Sequence, residues 1–150
     1  MMREPHRQVL VVDDDRVVRE ILGTALRQRS LHYDEAENGA EAIRLLSENA
    51  YSVVLLDIMM PGVNGFEVLD AIDPTSANTP VVLVVSGADR SVLDRLDASR
   101  IHGIVKKPFD PDEIAAVVAA CAEIRGRSTF ETMALATMMT SAPFMAFFKM

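Results

Sequence analysis

Apolar residues in this chain fall into two kinds of pattern. Val9–Val12, Val53–Leu56 and 81–85 are continuous runs of four or five residues, rich in valine and without polar alternation. Such runs predict strands covered on both faces, and therefore a parallel sheet between two helical layers. Residues 32–36 and Gly103–Lys106 are weaker strand candidates. Between the runs the period changes. Val17, Val18, Ile21, Leu22, Ala25 and Leu26 recur at spacings of three and four, which predicts a first helix over about 16–29. A second helix carries Ala42, Ile43 and Leu46 after an Asn38-Gly39 turn. A third begins near Gly65 with Phe66, Val68 and Leu69 and ends before Pro74. A fourth is marked by Val92, Leu93 and Leu96. The fifth carries Ile114, Val117, Val118, Cys121 and Ile124, with Pro111 at its start and Gly126 as its stop.

Strand and helix thus alternate five times, the pattern of a doubly wound α/β domain built from right-handed crossovers. In that class ligands gather beyond the carboxyl ends of the strands. The strand ends are therefore where chemistry is sought. The first run ends in Asp13-Asp14-Asp15, the third strand in Asp57, the fourth in Ser86, and the fifth leads into Lys106-Lys107-Pro108-Phe109. Carboxylates gathered in a partly dehydrated cleft repel one another unless a cation neutralises them. Oxygen donors without His or Cys suit Mg²⁺, or Mn²⁺, with water completing the octahedron. The triple negative charge of Asp13, Asp14 and Asp57 is balanced by one divalent cation and one lysine. A phosphoryl group arriving on a carboxylate could share its charge with the metal, the Lys107 ammonium and the Ser86 hydroxyl.

Composition narrows the field. The 150 residues are enough for one domain with a real core. Fifteen Lys and Arg against 22 Asp and Glu give a net charge of −7, which argues against a nucleic-acid surface. The single cysteine, Cys121, rules out an internal disulfide and lies on an apolar helical stripe as a small hydrophobe. His6, His32 and His102 lack ligand spacing and read as surface or strand-edge residues. Residues 1–7 form a short leader without the apolar segment of a secretory signal, so the expected compartment is the cytoplasm.

The stretches 9–15, Leu56-Asp57-Ile58-Met59-Met60-Pro61-Gly62, Val85-Ser86-Gly87-Ala88 and Lys107-Pro108-Phe109 resemble the receiver domain of two-component response regulators. Four fragments in order, set on five βα units, cover residues 8–126. The resemblance implies a flavodoxin-like sheet in the order 2-1-3-4-5 flanked by five helices. It implies that Asp57 accepts a phosphoryl group from a histidine kinase or phosphotransfer protein. Asp14, Asp57 and the Met59 backbone carbonyl would bind Mg²⁺ directly, and Asp13 through a water. Ser86 and Lys107 would follow the phosphoryl oxygens, and the Lys107-Pro108 bond would be cis. The chain would be a stand-alone signalling module acting on a protein partner. It would catalyse its own phosphorylation and dephosphorylation without being a turnover enzyme.

Two positions depart from the family pattern. Ile104 stands where an aromatic residue usually reports phosphorylation by rotating inward. Met59 puts an apolar side chain beside the acceptor, where a polar one could orient water. Other readings are weaker. Asp13-Asp14-Asp15-Arg16-Val17 also resembles the motif of haloacid-dehalogenase-like phosphatases, with Asp13 as nucleophile and Asp15 as general acid. That reading leaves Asp57 unexplained and lacks a later acidic pair. A pseudo-receiver scaffold would not need the acids at all. Asp15 reads as a helix cap, Lys106 as an exposed lysine, and Pro61-Gly62 and Asn64-Gly65 as turns shaping the loop beside Asp57.

From residue 127 the composition changes. Residues 128–150 hold five of nine methionines and four of six phenylalanines, with Glu131 and Lys149 as the only charges. Ser128-Thr129-Phe130-Glu131 has capping-box spacing and predicts a helix over about 129–141. The tail reads as a sixth helix on its own domain or as a dimer or partner contact. A membrane anchor is disfavoured, because the uncharged run 132–148 is short and interrupted by Pro143.

Overall fold

The computed structural model describes residues 8–125. The predicted leader with His6, the Gly126 stop and the tail helix lie outside these residues. Five strands, β1 (Val9–Val12), β2 (Tyr33–Ala36), β3 (Val53–Leu56), β4 (Val81–Ser86) and β5 (Gly103–Lys106), form one parallel sheet in the order β2-β1-β3-β4-β5. The helices are α1 (Arg16–Gln28), α2 (Gly39–Glu48), α3 (Gly65–Asp70), α4 (Arg90–Leu93) and α5 (Pro111–Arg125). This is the doubly wound, flavodoxin-like architecture expected from the alternating pattern.

The apolar runs become strands because side chains alternate across the sheet and both faces are covered. Val9, Val11, Val53, Leu55, Leu83 and Val85 pack with Leu22 and Leu26 of α1 and Ile114 and Val118 of α5. Leu10, Val12, Val54, Leu56, Val82 and Val84 pack on the other side with Ala42, Leu45, Val68, Leu69 and Leu93. Each fully buried aliphatic side chain contributes about 1.5–3 kcal/mol. Cys121 is buried in the α1–α5 layer as a hydrophobe, where burial pushes its thiol up to about 11. His32 and His102 are exposed, and His102 Nδ1 accepts a hydrogen bond from the Val82 amide at the sheet edge. No helix among the described residues is long and apolar enough to cross a membrane.

Helix starts follow local chemistry. Asp15, Asn38 and Asn64 cap α1, α2 and α3, their side chains accepting from the amides of Val17, Glu41 and Glu67. The Asn-Gly pairs read as turns therefore also begin helices. The fourth helix is shorter than its apolar spacing predicts, a single turn that ends before Leu96. After Asp94 the bonds tighten to the i→i−3 pattern, Arg95 to Val92 and Leu96 to Leu93. Asp97 then caps a separate 3₁₀ turn, Ala98–Arg100, by accepting from the Ser99 amide. Leu96 still packs on the core, so the apolar spacing was met by a tighter coil.

Candidate functional site

The carboxyl ends of β1, β3, β4 and β5 bring the predicted residues together. Asp13, one residue past β1, donates its amide to the Ala36 carbonyl at 3.2 Å, and Asp57, one past β3, donates to Val12 at 2.9 Å. Lys107, just past β5, donates its amide to the Ser86 carbonyl at 3.1 Å. Sheet bonding thus fixes the backbone of three of the four groups one step beyond the strands. The Lys107-Pro108 bond is cis.

Three buried polar side chains sit here: Asp13, Asp57 and Ser86 at 2%, 5% and 0% exposure. Ser86 Oγ donates to Asp57 Oδ1 at 2.9 Å and accepts from the Ala88 amide at 3.2 Å. The Met59 amide also donates to Asp57 Oδ1, at 3.3 Å. Lys107 Nζ lies 2.7 Å from Asp13 Oδ2 and 3.5 Å from Asp57 Oδ2, bridging the two carboxylates. Asp14 is exposed, and one oxygen from each of Asp13, Asp14 and Asp57 lies within 4.8 Å of the others. A cleft of about 390 Å³ opens above Asp57, with Met59, Ala88, Val92 and Lys107 on its walls.

Electrostatics follow the geometry. Burial holds the Asp57 carboxyl above its ordinary range, and the negative charge of Asp13 adds to the shift. Lys107, Ser86 and the Met59 amide oppose it without cancelling it. Burial alone would lower the Lys107 ammonium, but the hydrogen bond to Asp13 and the charges of Asp57 and Asp13 outweigh it, so the net shift is upward. Two buried carboxylates served by one ammonium leave an excess of negative charge. Three hard oxygen donors facing that excess fit a divalent cation such as Mg²⁺.

Other predicted residues have the expected settings. Asp15 caps α1, its Oδ1 accepting from the Val17 amide at 2.9 Å. Lys106 is exposed, and Ile104 is half-buried at the edge of one core. Met59 is 56% exposed and lines the cleft with Asp57. The loop after β3 needs its glycines. Gly62 has φ +73°, and a Cβ on Gly65 would come within 2.6 Å of the Asp57 carbonyl. One contact gives no sequence signal: Arg19 Nη1, from α1, donates to the Asp13 carbonyl at 2.8 Å. A lone arginine at a helical position reads as solvated surface, and only the folded loop puts a carbonyl within its reach.

A doubly wound sheet with this acid pair, hydroxyl and lysine at its carboxyl rim defines a signalling receiver domain. The chain matches the model of the response regulator receiver domain over residues 9–119 and belongs to that family. It is 38% identical over 113 residues to the transcriptional regulatory protein ResD of Bacillus subtilis, covering 75% of this chain and 47% of that protein. The chain spans about half the length of the curated relatives it matches. Among solved structures, the receiver domain of Francisella response regulator 1452 aligns with TM-score 0.69 and 28% identity, covering 81% of this chain and all of that one. The response regulator TrrA of Thermotoga maritima, solved in complex with Mg²⁺-BeF, aligns with TM-score 0.67 and 30% identity over 77% of this chain and 98% of that one.

Proposed function

We propose that Asp57 accepts a phosphoryl group from a phosphohistidine of a histidine kinase or phosphotransfer protein, and that the phosphorylated state controls contact with a protein partner. The observation that carries this reading is the convergence of Ser86 Oγ, Lys107 Nζ and two further carboxylates on one buried carboxylate. Asp13, Asp14, Asp57 and the Met59 carbonyl would hold Mg²⁺, which supplies charge neutralisation for the incoming phosphoryl oxygens. An Asp57 carboxylate oxygen attacks phosphorus, the P–N bond to imidazole breaks, and the imidazole takes a proton from water. Lys107 exchanges its contact with Asp57 for one with a phosphoryl oxygen. Ser86, whose hydroxyl now donates to Asp57, redirects that donor to a second oxygen. Hydrolysis returns the carboxylate and inorganic phosphate. Most of the catalysis is positioning and charge stabilisation.

The output surface is proposed to lie around α4 and β5, where Ser86 leads into α4 and Ile104 replaces an aromatic reporter. An aliphatic side chain cannot signal by a ring rotation, so movement of Ser86 and the short α4 would carry the change. Residues 128–150 are proposed as a partner or homodimer contact. Control of transcription, as the name of ResD states for that protein, is the alternative output.

The test is labelling with acetyl phosphate and Mg²⁺, read by intact-mass spectrometry and mapping of the modified aspartate. One phosphoryl group on Asp57, absent from Asp57→Asn and without Mg²⁺, is expected. Label on Asp13 would favour the phosphatase reading, and no label at all the scaffold. Sedimentation with and without beryllofluoride, on the chain and on a truncation after Arg127, then checks the role of the tail.

A further inference from the structure

We infer that Arg19 is a positioning residue for the cation site, holding the Asp13 backbone in place from α1 while the Asp13 side chain changes partners. The inference rests on the reading of the rim as a divalent-cation and phosphoryl site, and concerns what keeps that rim in shape.

Asp13 has four attachments. Its amide donates to Ala36, and its Oδ1 accepts from the Asp15 amide at 2.9 Å. Its Oδ2 accepts from Lys107, and its carbonyl accepts from Arg19 Nη1 at 2.8 Å. In the proposed reaction a cation draws on the same carboxylate that Lys107 holds, so the Asp13 side chain takes a new partner while its backbone has to stay in place. The attachments that hold the Asp13 backbone without engaging its carboxylate are the sheet bond and Arg19. Of these, Arg19 alone ties the turn to the body of α1.

The arginine is suited to that task. Its side chain is 13% exposed, so its bond to the carbonyl is screened little by solvent. Its other side faces Glu35 on β2, with Nε to Oε1 at 4.0 Å. Glu35 pairs in register with Val11, two residues before Asp13, so the anchor is braced by the strand that flanks β1. Glu35 also balances the guanidinium charge. An unbalanced cation behind the carboxylates would repel the metal they bind. The pair therefore fixes geometry with little change in the charge the metal meets. Groups that orient ligands from behind commonly change metal affinity about 10–100-fold when removed.

The experiment measures Mn²⁺ binding to the full chain from the free-ion electron paramagnetic resonance signal, with circular dichroism to verify folding. Arg19→Ala is expected to weaken Mn²⁺ binding about tenfold. Arg19→Met, which keeps the apolar stem and removes the donors, carries the same expectation and covers the case that the alanine variant unfolds. Arg19→Lys, which can still reach one carbonyl, should recover most of the loss. Arg16→Ala removes the same charge from the same helix at a side chain 82% exposed, and should bind as wild type does. Wild-type affinity in both Arg19→Ala and Arg19→Met, or an equal loss in Arg16→Ala, overturns the inference while leaving the receiver reading intact. A wild-type chain that binds no Mn²⁺ overturns both.

Discussion

The bodies of the strands and their carboxyl ends obey opposite rules. Along β1, β3 and β4 the side chains are apolar and buried, and burial is what stabilises them. One residue further, the same strands bury Asp13 and Asp57, and β4 closes on Ser86, with the two acids sharing a single ammonium. The body holds the domain together. The rim stores electrostatic cost, which in the proposed function a cation and a phosphoryl group would relieve. A receiver needs both, since a site relaxed on its own would gain little from binding its ligands.

The contrast can be broken from either side. Leu55→Ala, at a side chain 1% exposed in β3, should have the largest effect, a loss of about 3 kcal/mol in urea unfolding, with cation binding by the folded fraction retained. Lys107→Met should cost less, about 2 kcal/mol, by leaving Asp13 and Asp57 as unrelieved like charges. Saturating Mg²⁺ should recover much of that loss, which it cannot do for Leu55→Ala. Equal rescue of both variants would erase the distinction between body and rim.

Asp57→Asn sharpens the comparison, because it should stabilise. The carboxyl of Asp57 is held above its unfolded value, so the folded state retains the proton more tightly. Its contribution is therefore unfavourable above the raised folded value and vanishes as pH falls below the ordinary carboxylate value of about 3.9. Thermal melts without metal should show the asparagine variant more stable than wild type at neutral pH, with the gap closing in acid. The smallest effect on stability is expected at Met59→Asn, since this side chain is 56% exposed. Its effect should appear in chemistry instead, as faster decay of the acyl phosphate once a polar group can orient water. Equal decay rates would remove the role assigned to Met59.

Much of this rim was legible before folding because it follows from periodicity. A parallel strand must be apolar along its length, so Asp57 after four apolar residues, or Ser86 closing an apolar run, marks an end where chemistry can sit. The reach of α4 was not legible. Val92, Leu93 and Leu96 satisfy a helical stripe and equally satisfy a turn of helix followed by a tighter coil, and Asp97 capping the next turn decides between them. Gly65 looked like half of a turn, whereas its lack of a side chain is what admits the Asp57 carbonyl.

By itself the sequence determined which segments are strands, in what alternation with helices, and which polar residues stand at their ends, since these depend on local burial and spacing. Tertiary structure alone decided that Lys107 bridges Asp13 and Asp57 and that Arg19 reaches the Asp13 carbonyl. Those facts depend on distances between residues far apart in the chain, or on where one loop runs. Hydrophobic period carries no information about either.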